Sequence, residues 1–437
     1  MKRATHRRVA AAIAVLAAMV TLAACGSDGT SSGPQRLDLK IGDLVPRTGF
    51  LDQFGDPAQQ AADLAVDEIR KAAAKAGAQH KVTITHVDYR SAPKEAVDYA
   101  EKFVDGGSSC LVGPWAGGHV DRVATKVAIP DKVLLISPAA SGDALSKAED
   151  RGYVNRVVPP DRLQAHALVE LLDDKLRGGA RGKKVNVGAF EGVQSGQPST
   201  YTKELMNEFE DAWTGKGGSV GQEETYRADE TSIDDKIKAL ASGDPDAWVF
   251  FDFADTYARV GNDLLASKNA KFTPKRAFGT DSLANPRLET VAPAATDGLR
   301  GVAISAPNRG QAAREFDKRF KAGGQAKRQT FDAQEFDAVV LCYLSAVAAG
   351  STKGQHMAGK VREVSAPPGR KFTWLQLDQA IKALEAGQDI DYEGASGPIN
   401  MNDAGDPTAG VYDVYEFKGG RMRLGEQIGI PPGSGGI

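Results

Sequence analysis

The chain has 437 residues, 41% hydrophobic and 25% charged, an ordinary globular composition long enough for two domains with real cores. Its formal net charge of -3 leaves no basic footprint for nucleic acid or anionic lipid. The six histidines are scattered without paired spacing, so no metal centre is expected, and no cofactor either.

The first 25 residues carry the clearest signal. Lys2, Arg3, Arg7 and Arg8 make a basic leader, an apolar run follows from Val9 to Ala24, and Leu22-Ala23-Ala24-Cys25 closes it. The run is shorter than the roughly 20 apolar residues of a membrane span and fits a secretory segment. The cysteine stands where bacterial lipoprotein precursors carry the thiol that is acylated after cleavage, so the segment resembles a lipobox. On this reading residues 1–24 are a signal peptide, Cys25 is the lipidation site, and the protein is extracytoplasmic, anchored to the cell membrane. An ordinary signal peptide with a chance cysteine is the plainer alternative. Either way, functions needing cytoplasmic ATP, nicotinamide cofactors or nucleic acid are disfavoured. Residues 25–36, including the Gly/Ser-rich GSDGTSSGPQ, read as a flexible tether.

From Leu37 the pattern becomes strand, helix, strand, helix. Leu37 to Val45 reads as a strand, and Asp56-Pro57-Ala58-Gln59 as a helix start with Asp56 at the N-cap. Ala62, Val66 and Ile69 then give one buried face. Val82 to Val87, Leu111-Val112, Val133 to Ile136, Val185 to Phe190 and Trp248 to Phe251 are apolar on both faces. Helical stretches separate them, near Glu95 to Val104, Val120 to Ala128, Leu163 to Leu176, Tyr201 to Trp213 and Tyr257 to Ala266. Continuous apolar strands alternating with amphipathic helices predict parallel sheets covered on both sides, in two sets divided near Val157-Val158-Pro159-Pro160. Two further helices follow, around Phe336 to Val347 and Trp374 to Glu385. An antiparallel pair, Val411 to Phe417 and Met422 to Glu426, ends the pattern. Cys110 and Cys342 form either a bridge or two buried free thiols; spacing establishes no proximity and tilts the choice towards free thiols.

Catalytic motifs fail on inspection. Gly178 to Lys184 lacks the first glycine of a phosphate loop, and no Ser or Thr follows Lys183. Gly192 to Gly196 is out of register for a nucleophile elbow. The pairs Asp173-Asp174 and Asp234-Asp235 sit in helical patterns as solvated faces. The expectation is therefore a binding protein rather than an enzyme.

Ligands of doubly wound sheets bind beyond the carboxyl ends of the strands. After Leu111-Val112 comes Gly113-Pro114-Trp115-Ala116-Gly117-Gly118, whose backbone N–H groups suit a carboxylate and whose Trp115 suits an aromatic wall or the core. After Ile136 come Ala139 and Ser141, a carbonyl and a hydroxyl for a small ligand, with Ser141 alternatively a helix N-cap. Asp281, after Ala277 to Thr280, suits an ammonium group or another N-cap. Phe253 follows Trp248 to Phe251 and faces either cleft or core.

In this order the segments resemble the type I periplasmic binding proteins of the leucine/isoleucine/valine-binding group, from about Leu37 to Leu424. The anchors are Ile41-Gly42, Thr48-Gly49, Phe54-Gly55 with Ala61 to Ile69, and Asp88 with Pro93 to Val97. Leu111 to Pro114, Ile136 to Ala140 and Gly397-Pro398 with Asn402 to Asp406 complete them. The resemblance implies an α/β fold of two doubly wound parallel-sheet lobes joined by a three-strand hinge. The lobes would be residues 37–158 plus 305–392 and 159–304 plus 393–437. It also implies a monomer without a cofactor that encloses an amino acid-like solute and delivers it to an ABC permease. The Gly117 position, Ala139 and Ser141 would hold the solute's carboxylate, and Asp281 its ammonium. Phe253 and Phe54 match aromatic positions. Three departures stand out: Gly117 carries no hydroxyl, Trp115 is bulky, and Gln194-Ser195-Gly196-Gln197-Pro198 replaces a tyrosine-glycine, placing Ser195 at the cleft. An amine-bearing ligand is favoured over a simple branched-chain amino acid. A ligand-sensing domain that partners a receptor, and a structural lipoprotein with a non-binding cleft, are the other readings.

Overall fold

Leu134–Ser137 and Ala247–Phe251 are buried along their whole length, as parallel strands covered on both faces must be. The computed structural model describes residues 36–147, 149–191, 193–194, 197–198, 201–267 and 271–433. The leader, Cys25, the tether and Ser195 lie outside the described residues.

Two large sheets build two lobes. The first is all parallel, in the order Gln79–Asp88, Arg36–Val45, Cys110–Val112, Leu134–Ser137, Val154–Arg156. The second runs Ser219–Tyr226, Lys184–Phe190, Ala247–Phe251, Ala277–Gly279, Arg300–Ile304 in parallel, and the hairpin Gly410–Lys418 and Arg421–Ile430 closes its edge antiparallel. Where Ala277–Gly279 and Arg300–Ile304 meet, only glycine fits. A Cβ on Gly301 would lie 2.1 Å from the Gly279 carbonyl oxygen and 2.3 Å from the Tyr415 hydroxyl. Among the described residues no helix is long and apolar enough to cross a membrane.

Local corrections have physical causes. The first long helix spans Gly55–Ala76 and is capped by Phe54, not Asp56; a 3-10 turn, Asp52–Phe54, leads straight into it and leaves no extended residue for a side-chain cap. Asp56 instead pairs with Arg47 at 3.0 Å. The helix expected over Val120 to Ala128 is α-helical only for Gly117–Val123 and widens into a π turn over Ala124–Ala128. Pro130 follows at once, and its ring cannot tolerate a regular turn beneath it. The polar edge strand Ser219–Tyr226 has no apolar run to announce it.

The helix Asp332–Ala349 is buried from Asp332 to Val347 and packs with Gly55–Ala76 against the first sheet. It also overturns the free-thiol expectation: Cys342 on this helix is bonded to Cys110 on the third strand, with Cα atoms 6.0 Å apart. Three acids are buried on the same helix, and the first, Asp332, pairs with Arg328 at 2.6 Å. Asp337 is satisfied by the Tyr392 hydroxyl at 2.8 Å and by the Ala395 and Ser396 amides at 2.9 and 2.7 Å. Glu335 faces only Asp43, which in turn accepts from His86 Nδ1 at 2.6 Å. Burial and the charge of Asp43 push Glu335 well above the usual range, and neither Glu335 oxygen has a hydrogen-bond partner among the described residues.

A carboxyl with a raised folded pKa contributes stability that is complete below its unfolded value, 4.5, and is lost as pH rises through the folded value. Glu335→Gln is therefore expected to flatten the loss of stability on going from roughly pH 5 to 8. Urea denaturation of both proteins across that range checks this; parallel pH profiles would show that Glu335 does not titrate out of its usual range.

Candidate functional site

The strand order puts several expected residues at the carboxyl ends of both sheets. In the first lobe, Phe54, Trp115 and Phe331 form one aromatic cluster. Phe54 stacks on Trp115 with centroids 5.8 Å apart, and Phe331 meets their edges at 5.6 and 5.9 Å. Trp115 is thus both a core residue, 2% exposed, and the support of half-buried Phe54. Its indole N–H is buried without a hydrogen-bond partner. Phe331 holds a left-handed backbone, φ 74°, at the mouth of the Asp332–Ala349 helix. Gly117 opens the seven-residue helix Gly117–Val123, and a Cβ there would touch nothing within 4 Å.

Ala139 and Ser141 lie on the loop after Leu134–Ser137. Ser137 Oγ accepts the Ala139 and Ala140 amides at 3.4 and 3.1 Å. Arg156 fixes the rest of the loop: Nη1 donates to the carbonyls of Ala140 and Gly142 at 3.2 and 2.8 Å, and Nη2 to Ser146 Oγ at 2.7 Å. Ser141 is no N-cap. Its carbonyl accepts the amide of Asp161, the first residue of the Asp161–Lys175 helix, at 2.9 Å.

In the second lobe Asp281 is half-buried at the end of Ala277–Gly279. The 3-10 turn Asp281–Leu283 is capped by Thr280, so Asp281 is not an N-cap either. Its Oδ1 accepts a hydrogen bond from the Tyr201 hydroxyl and one from Gln164 Nε2 at 2.8 Å. Burial raises the Asp281 pKa, while these two donors hold it down. Phe253 packs its ring against Phe190 at 5.5 Å and Tyr201 at 6.0 Å, an aromatic wall beside the carboxylate.

Sequence reasoning missed Asp161, Gln164, Tyr201 and Phe331. Asp161 is fully buried, and neither carboxylate oxygen has a hydrogen-bond partner. Burial pushes its pKa well up, and the charges of Asp143 and Asp281 add to this. The Ser141 hydroxyl lies beside it without completing a bond. Asp161 thus links the first-lobe loop to the second-lobe carboxylate. The lobes also meet directly: a Cβ on Gly142 would come within 2.9 Å of Glu204 Oε2 on the Tyr201–Gly215 helix. Among the described residues no group of three or more metal-ligating side chains comes together.

The arrangement offers carboxylates, hydroxyls, backbone amides and aromatic faces. Residues 38–421 match the family model described as periplasmic binding protein. The Leu/Ile/Val-binding protein BraC3 of Rhizobium johnstonii is 25% identical over 89% of this chain and 94% of its own. A chemotactic signal transduction system substrate-binding protein, BasB of Halobacterium salinarum, is 23% identical over 85% of each. Among solved structures, LivJ of Streptococcus pneumoniae in complex with isoleucine superposes with a TM-score of 0.68 at 19% identity, over 90% of this chain and 99% of that one. A solute-binding protein of R. palustris in complex with 4-hydroxybenzoate gives 0.66 at 14%, over 92% and 99%. With the family model matched over most of its length, the chain belongs to the type I periplasmic binding proteins, in the leucine/isoleucine/valine-binding group.

Proposed function

We propose that this protein is an extracytoplasmic solute-binding lipoprotein of an ABC importer, acylated at Cys25. It captures an amino acid or related small amine-bearing solute by hinge closure. Residues 37–158 plus 305–392 form one lobe in this reading, and 159–304 plus 393–437 the other. The observation that carries it is Asp281, held by Tyr201 and Gln164 beside the Phe253 wall and facing the first-lobe loop through Asp161. An ammonium would sit against Asp281. Gly117, Ala139 and Ser141 would face the other end of the solute, with Phe54 and Trp115 as aromatic cover; Ser195 belongs to the same proposal.

Closure follows from differential affinity: a solute touching both lobes favours the closed state by the contacts it makes only there. Micromolar binding needs about 8 kcal/mol, within reach of one ion pair, a few hydrogen bonds and aromatic burial. The tether would keep the capturing domain near a membrane permease while leaving its lobes free to move. A thermal-shift screen of small polar solutes tests the reading. Stabilisation by amine-bearing solutes is expected. A flat response to every solute would favour a structural lipoprotein with a non-binding cleft.

A sensing role is the second reading, favoured by the similarity to the chemotactic substrate-binding protein. Co-purification with a permease supports import; co-purification with a receptor supports sensing.

A further inference from the structure

The charge balance around Asp281 narrows the class of solute, resting on the reading that the cleft holds an amine-bearing molecule. The nearby cations are already committed. Arg156 Nε donates to Asp406 Oδ1 at 2.7 Å, and Arg162 pairs with Asp143 at 2.5 Å and Asp406 at 3.4 Å. Two arginines thus meet two carboxylates. Among the described residues no ion pair reaches Asp161 or Asp281, and the charge of Asp281 raises the Asp161 pKa further.

The unfilled hydrogen-bonding capacity points the same way. Both oxygens of Asp161 and Oε1 of Gln164 are buried without partners. The two residues are one helical turn apart on one helix face. Because Gln164 Nε2 is fixed on Asp281 Oδ1, the orientation of its amide is set and its oxygen remains open. The Tyr412 hydroxyl is also buried without a partner, and the charges of Asp161, Asp281 and Asp143 help raise its pKa. Each open buried acceptor calls for a partner, and a ligand with nitrogen donors is one that would satisfy all three. The donors open to a carboxylate are backbone amides and the buried, unpartnered Trp115 indole N–H. Gly117 has no side chain, and the Ser141 hydroxyl lies against Asp161.

We infer that the solute is a small cation with at least two nitrogen donors, of the diamine or guanidinium class. Asp281 takes one donor, and Asp161 with Gln164 Oε1 takes another. In the empty site Asp161 keeps a proton, because an unpaired buried carboxylate is costly. A bound cation replaces that proton. Binding therefore releases protons and tightens as pH rises through the carboxyl range, with Tyr201, Tyr412 and the two arginine pairs as the fixed surroundings.

Calorimetry on the protein stripped of bound solute, with agmatine, putrescine and leucine in two buffers of different ionisation enthalpy, tests this. Agmatine or putrescine is expected to bind at least about tenfold tighter than leucine, with protons released on binding. Asp161→Asn, which keeps the shape of a neutral carboxyl, is expected to weaken that binding at least about tenfold while the melting temperature holds. If this variant does not fold, Gln164→Met serves the same purpose. Leucine binding tighter than both cations would overturn the inference and leave the amine-solute reading standing. No binding of any of the three, with no thermal stabilisation by any amine, would overturn both.

Discussion

Asp281→Ala is expected to weaken binding of an amine-bearing solute at least tenfold, about 1.4 kcal/mol. The carboxylate is placed by two donors on one oxygen, Tyr201 Oη and Gln164 Nε2, from two different helices. Its burial raises the energy of the ionised form in the empty protein, so an incoming ammonium gains more from it than from an exposed acid. Alanine removes the charge and also leaves both donors without their acceptor, which adds a desolvation cost. Asp281→Asn separates the two effects, because the amide oxygen can still accept from Gln164 and Tyr201 while the charge is gone. Titration calorimetry on the three proteins reads the result. Affinity unchanged in both variants would remove Asp281 from the site.

The disulfide carries the second large effect. Cys110–Cys342 closes a separation of 232 residues and ties the buried Asp332–Ala349 helix to the first sheet. The chain-entropy estimate for so long a loop is about 5 kcal/mol, and measured values for native bridges run at about 2–5 kcal/mol. Replacing both cysteines by alanine is therefore expected to lower unfolding stability by about 2–5 kcal/mol. Alanine is preferable to serine, which would bury two new hydroxyls in an apolar cluster. Urea denaturation with and without dithiothreitol is the check. The wild type should lose stability on reduction, and the double variant should not respond. Equal midpoints for the oxidised wild type and the variant would show that the bridge adds nothing. A bridge of this kind also suits the oxidising side of a membrane, where the leader would send the chain.

The sheets were legible because parallel strands are buried on both faces and so read as unbroken apolar runs; Val249 and Leu135 need no context to be assigned. Ser219–Tyr226 escaped because an edge strand exposes most of its residues and follows no such pattern. Trp115, Ala139, Ser141, Phe253 and Asp281 were proposed by one topological rule, that ligands bind beyond the carboxyl ends of the strands, and Phe54 by the family resemblance. Asp161 and Gln164 were invisible to that rule. They begin a helix, where an acid and a glutamine read as ordinary first-turn residues, and Gln164 meets Asp281 across 117 positions. Tyr201 read as a helix start for the same reason. Phe331 bears no sequence mark of its left-handed turn, which glycine or asparagine would have supplied. The pairing of Cys110 with Cys342 depends on how a late helix packs on an early strand, which local pattern does not encode.

The most direct test of the account is mass spectrometry of small molecules released on denaturing the freshly purified protein and its Asp281→Ala variant. The account predicts an amine-bearing solute in stoichiometric amount from the wild type and little or none from the variant. A solute without any amine, released equally from both, would contradict it.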